Sequence, residues 1–221
     1  MLIGVATVIR RALHLSAPAL SPPNFPEASA LDEGFDRHPR LTMFHIIPGL
    51  LFMVLGPLQF VRTLRNSRPR LHRWTGRVVI ASGVIIGSTA LVMGPKMPIG
   101  GANETAATTF FAIVFLFALL KAFLSIRQGK VAVHREWMIR AFAIGLAVAT
   151  IRPIVGAFFA TRSLTHLTPH DFFGTAFWLG FTMHLIAAEI WINYTRPQLR
   201  LKEDAAGPAT RVLAAQRRSE L

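Results

Sequence analysis

The chain has 221 residues, 52% of them hydrophobic and only 16% charged, with a formal net charge of +13. A soluble domain carries about a quarter charged residues, whereas here the apolar residues are bunched into runs of about twenty, the length an α-helix needs to cross ~30 Å of hydrocarbon. The basic residues lie between those runs and form no amphipathic face, which argues for juxtamembrane charge and against nucleic acid; the lack of cysteine excludes disulfides, thiolate metal sites, iron–sulfur clusters and covalently attached c-type haem.

Residues 1–40 read as a short N-terminal helix and an external loop. The first nine residues are apolar, but Arg10, Arg11 and His14 follow at once. Two arginines in mid-span are costly even on lenient insertion scales. The charges follow the apolar stretch instead of preceding it, which argues against a signal peptide. Two readings stand: an interfacial helix, or a damaged sixth span shortened by a misplaced start. The SPPNFP run at 21–26 breaks any helix there.

Five spans follow, at about 41–61 (A), 78–95 (B), 105–124 (C), 137–160 (D) and 172–194 (E). They define an all-α polytopic transmembrane bundle over residues 41–194. The tail, 195–221, is basic and polar, and is broken by Pro197 and by Gly207-Pro208. It is expected to lie on anionic lipid. The A–B loop holds six arginines between Arg62 and Arg77, the segment from Lys121 to Arg140 holds five Lys or Arg, and the tail holds six. Thus 17 of the 24 basic residues fall on one side. The positive-inside rule makes that side cytoplasmic, so the expected location is a bacterial inner (plasma) membrane with a cytoplasmic C-terminus.

At 100° per residue, span A carries His45, Gly49, Phe52, Gly56 and Gln59 on one stripe, and span B carries Gly76, Gly83, Gly87, Ala90 and Gly94. Small residues and polar groups mark the protein-facing side of a membrane helix. The simpler reading is close helix packing; the sharper one is room for a flat ring such as a porphyrin or quinone. On span D, His134, Gly145, Val148, Arg152 and Gly156 share a face. Arg152 lies about 27 Å beyond His134 along the axis. It therefore sits in the outer half of the bilayer, either snorkelling to the interface or holding an anion. On span E, His184 and Glu189 occupy different faces, and Glu189 is level with Arg140, so the two are expected to pair. Span C has no ionisable residue in its middle and reads as scaffold.

Two sequence blocks are matched. Leu71-His72-Arg73-Trp74-Thr75-Gly76-Arg77 precedes span B, and Val133-His134-Arg135-Glu136-Trp137-Met138-Ile139-Arg140 opens span D. Together with His45-Ile46-Ile47-Pro48-Gly49, Gly56-Pro57-Leu58-Gln59-Phe60, Gly100-Gly101, Ile151-Arg152 and Ala188-Glu189, they make residues 38–194 resemble the bacterial multipass proteins grouped as domain of unknown function 2306. The resemblance implies a polytopic membrane protein and brings no activity. Members of that family carry a full apolar helix ahead of the external loop, which here is missing or damaged.

The matched histidines suggest a b-type haem moving electrons, with His72 and His134 as iron ligands at equal depth and Arg73 and Arg135 on the propionates. The units A–B and C–D then form a weak parallel repeat. His45 and His184 would be a second pair, offset by roughly 12 Å in depth. A quinone or redox partner belongs to this reading. The alternative is a transporter or a lipid- or anion-binding protein using the Arg-rich helix starts and Arg152. The plainest alternative has the arginines set topology and the histidines bond backbone carbonyls. No nucleophile elbow, HExxH, Walker loop or Rossmann fingerprint is present. His166, His170 and Asp171 have ligand-like spacing for an external metal, although a solvated loop is the simpler account.

Overall fold

The computed structural model of the protein describes residues 2–16 and 34–205, with side chains over 5–15 and 34–196. Among the described residues the fold is all-helical, without a strand. Helix α1 is Leu2–Ser16, α2 Pro39–Leu55, α3 Arg62–Ser67, α4 Pro69–Lys96, α5 Gly101–Arg127, α6 Val131–Ala160, α7 Arg162–Thr165 and α8 Pro169–Ala205. A 3-10 turn, Pro57–Phe60, extends α2, where Pro57 has no N–H to continue the α-helical ladder. With that extension α2, and with it α4, α5, α6 and α8, are long and apolar enough to cross a bilayer. The five-span bundle expected from hydropathy is therefore the fold.

The helices run further than the apolar spans. Pro39, Pro69 and Pro169 each open a helix, at the position where the missing N–H costs nothing. As a result, α4 starts nine residues before the predicted span B, and α6 six before span D. His72 and His134 are each the fourth residue of their helix, inside the first turn and not in the loop ahead of it. At the other extreme, α8 continues through Pro197 to Ala205, so Pro197 does not break the tail as expected. The turn beside it is tied to α6, which compensates for the backbone bond that Pro197 cannot make.

Those ties lie at the basic end of the bundle. Glu136 accepts two bonds from Arg196 at 2.8 Å each, and Arg135 donates to Thr195 at 3.1 Å. Arg140 meets Glu189 through both guanidinium edges, at 2.5 and 2.9 Å. The Arg140 guanidinium also stacks over Trp137, 4.6 Å from the ring centroid. The pairing of Arg140 with Glu189 is as expected from their depth. Removing one partner of a buried pair costs about 3–5 kcal/mol. Because the Glu189 side chain is 41% exposed, Arg140→Ala should cost less, about 2 kcal/mol. A lowered melting temperature, partly restored by Arg140→Lys, is the expected result.

Alanines and glycines set the helix spacing. Ala118 and Ala122 of α5, Ala141 and Ala147 of α6, and Ala176 of α8 are completely buried. α6 packs against both α5 and α8, α5 also against α4 and α8, and α2 against α4. Phe52 of α2 is the central knob, 2% exposed. It stacks on Phe142 and meets Phe115 edge-on. A Cβ on Gly145 would lie 2.6 Å from the Phe52 ring, one on Gly83 3.2 Å from it, and one on Gly87 2.6 Å from Leu116. At these three positions the packing reading of the glycine stripe is the right one. Helix α1, about 23 Å long over its described residues, packs against α2 and α6. Arg11, a liability in the sequence, is only 5% exposed, and its guanidinium lies 4.3 Å from the Phe35 ring centroid.

Candidate functional site

The two His-Arg helix starts stand at the same end of the bundle, with α5 packed against both α4 and α6. His72 and His134 lie within reach of each other's charge, and Arg65 of α3 reaches His72 and Arg135 alike. The two imidazoles are held differently. His134 Nδ1 donates to the carbonyl of Ala122 at 2.9 Å, whereas His72 Nδ1 is buried without a hydrogen-bond partner among the described residues. Arg73 is exposed, and Arg135 is committed to Thr195. Gln59 and Thr75 close the same end by a 2.8 Å bond, beneath which Gly76 lacks the Cβ that would crowd Gln59.

His45 and His184 do not form a pair. His45 of α2 bonds Thr89 of α4 through Nδ1 at 2.8 Å. His184 of α8 bonds Thr150 of α6 through Nε2 at 2.7 Å. Each imidazole ties its own pair of helices. At the start of α8, Asp171 accepts from the backbone N–H and the hydroxyl of Thr168, at 2.8 and 2.6 Å. It caps the start of α8, and His170 packs at Gly101. Among the described residues, no group of three or more histidines or carboxylates is placed to hold a metal.

A second feature lies in the half of the bundle away from the basic end. A cavity of about 250 Å³ is enclosed by α1, α2, α4, α5, α6 and α8. Its body is apolar, with Phe52, Phe111, Phe115, Phe177 and Phe181 around it, and Met53, Met93 and Met97 filling the irregular edges. Its polar lining is Thr7 and Arg11 from α1, His45 from α2, Glu104 and Thr108 from α5, and Arg152 from α6. A smaller cavity of about 130 Å³ adjoins it and shares Arg11, Glu104 and Arg152. The two arginines therefore stand where the spaces meet.

Local sequence explains this lining. Gly49 sits one residue after Pro48, and a Cβ there would meet nothing within 4 Å. Its missing side chain opens space, unlike those of Gly83, Gly87 and Gly145. Pro153 follows Arg152 inside α6 and offers no N–H to the carbonyl of Ala149, a residue that also lines the cavity. Glu104 is anchored by its Oε2, which accepts from the backbone N–H groups of Ile99 and Gly100 at 2.7 and 2.6 Å. That is an acid in the first turn, where the helix N-terminus favours negative charge. Glu104 is thereby held at the helix start, and Arg11, His45 and Arg152 complete the ionisable lining.

With the geometry in view, comparison with known proteins assigns the chain to a family. A family model for predicted membrane proteins, DUF2306, matches residues 42–192. The chain belongs to the DUF2306 family. No curated protein and no solved structure matches the chain. The DUF2306 match covers all five spans, and with them His45, Glu104 and Arg152. It leaves out α1, so Arg11 is a contribution from outside the DUF2306 region.

Sequence reasoning named His45 and Arg152 but assigned them to different sites. Arg11 and Glu104 were missed. Arg11 looked like an obstacle to insertion, because the partners that bury it are far away in the chain. Glu104 looked like part of a loop, because hydropathy starts span C one residue later. The signal available for it was Gly100-Gly101 followed by an acid, the pattern of a helix start.

Proposed function

We propose that this protein binds a small amphiphilic molecule with an anionic head inside the bundle, the apolar portion in the cavity and the head at Arg152. The observation that carries the proposal is the cavity itself: about 250 Å³, mostly aromatic and aliphatic, with cationic groups at one side. Ligand sites have this composition, an apolar enclosure with a few convergent polar groups. The volume is just under the usual range of about 300–1,000 Å³, so it suits one ring or a length of alkyl chain and is small for a porphyrin. The sharper reading of the glycine stripe thus survives at Gly49. Whether the ligand is carried across or merely held is decided by transport assays in vesicles.

The positive-inside rule supports a cytoplasmic basic end, which would put the cavity in the outer leaflet. Anionic lipid is then the expected partner of the arginines between Arg62 and Arg77. A bacterial inner membrane accords with this orientation.

The test uses the purified chain in nanodiscs of zwitterionic lipid. Decyl phosphate should raise the melting temperature in a concentration-dependent way, by RT ln(1 + [L]/Kd), and decyltrimethylammonium should not. Equal effects of the two would remove the anionic head from the proposal, and no effect of either would remove the cavity as its site.

A second reading rests on His134. An imidazole whose Nδ1–H is held by a backbone carbonyl presents Nε2 as a metal ligand, and His72 is within charge reach. This supports b-type haem between α4 and α6. Against it, neither cavity extends to His72 or His134. A Soret band lost in both His72→Ala and His134→Ala would favour it. A colourless, folded protein from haem-replete cells would end it.

A further inference from the structure

We infer that His45 selects, within the same cavity, a ligand bearing a hydroxyl group on a planar ring. The inference rests on the reading of the cavity as a binding site and adds the chemistry of its occupant. It begins with a proton count at the His45–Thr89 contact. The Thr89 hydroxyl donates to backbone carbonyls of its own helix, Ile85 at 2.7 Å and Ile86 at 3.0 Å. With its proton on those carbonyls, its oxygen accepts from His45 Nδ1, 2.8 Å away, and the Ile86 carbonyl accepts from the same imidazole. The neutral imidazole has one proton. Held on Nδ1, it leaves Nε2 as a bare acceptor.

Among the described residues Nε2 has no hydrogen-bond partner, and His45 lines the cavity. An acceptor facing the cavity is matched by an O–H or N–H donor, and an apolar ligand lacking one leaves it unsatisfied. The anionic groups that Arg152 would recognise have no such proton, so the two polar positions ask for different groups. The walls between them favour a ring. Phe111 and Phe181 stack at 4.7 Å between centroids, Phe52 and Phe115 meet edge to face at 5.6 Å, and aromatic walls bind planar rings in offset or edge-on contact. Phenolic amphiphiles, including reduced isoprenoid quinones, carry both features.

The experiment compares 4-octylphenol with 4-octylanisole, its methyl ether, which keeps the ring and chain and loses only the donor. Both are titrated into the full chain in zwitterionic nanodiscs, with decyl phosphate as a third probe. The phenol should bind about tenfold more tightly than the ether, the value of one buried hydrogen bond. His45→Leu should bring the phenol down to the affinity of the ether. Should that variant fail to fold, His45→Phe keeps a flat ring and removes the acceptor, and should narrow the same ratio. Equal binding of phenol and ether by the native chain overturns the inference, as does an unchanged ratio in the folded variants. If decyl phosphate binds and neither octyl probe does, the inference falls and the anionic reading stands. If none of the three binds, both fall together.

Discussion

Replacing Arg152 by leucine should lower the affinity for decyl phosphate ten- to a hundredfold while the bundle stays folded. A hydrogen bond to a charged group contributes about 1.5–3 kcal/mol, which is that range in the dissociation constant. Arg152 is exposed, and it lines both cavities. It is therefore not packed as a core residue whose loss would collapse α6. The neighbouring residue Ile151 carries that packing, at 3% exposure and against Gly180 of α8. Arg152→Lys should fall between the two, because a lysine keeps the charge and loses the planar fork that binds a phosphate with two parallel bonds. Titration of native, Arg152→Lys and Arg152→Leu protein, with a thermal melt of each, separates the outcomes. Native affinity in Arg152→Leu would reduce this residue to an interfacial anchor.

The second large effect concerns two glycines on the same pair of packed helices. Gly49→Leu should abolish ligand binding and leave stability unchanged or slightly raised. Gly145→Ala should destabilise the protein. The difference comes from what a side chain would meet. At Gly49 there is nothing within 4 Å, and at Gly145 the Phe52 ring is 2.6 Å away. A leucine at 49 enters the cavity and replaces the poorest helix former but proline, a gain of up to about 0.8 kcal/mol in propensity. An alanine at 145 forces Phe52 out of a close-packed position, and such overpacking costs about 1–3 kcal/mol. Phe52 also touches Phe115 and Phe142, so the strain spreads to α5 and α6. Melting curves and decyl phosphate titrations of both variants test this directly. Normal binding by Gly49→Leu would show that the cavity is not the site.

Much of the architecture was legible in the residues. Five apolar runs separated by arginine-rich loops predict five spans, and their depth predicts partners such as Arg140 and Glu189. Helix ends were less legible, because hydropathy measures what lipid must cover and a helix continues past that limit. The first turns of α4 and α6 and the stretch of α8 beyond Tyr194 are polar for this reason. The candidate site was legible only in pieces. Span A's stripe contained His45 and Gly49, span B's contained Gly87 and Gly94, and span D's contained Gly145 and Arg152. Each stripe was ambiguous alone, since close packing and an open cavity demand the same small residues.

By itself the sequence determined that this is a multipass helical membrane protein, because the cost of exposing charge and backbone to hydrocarbon dictates where spans and loops fall. Local pattern also marked the inward-facing stripes of the first two spans, with Phe52, Gly56, Gly83 and Gly87 buried. Only the tertiary structure decided which small residues are filled and which are left open. It paired His45 with Thr89, and His184 with Thr150. It also brought Arg11, Glu104 and Arg152, which stand 48 to 141 residues apart in the chain, to one cavity. The reason is physical: the volume left between helices depends on the side chains of every helix around it, and no single segment carries that information.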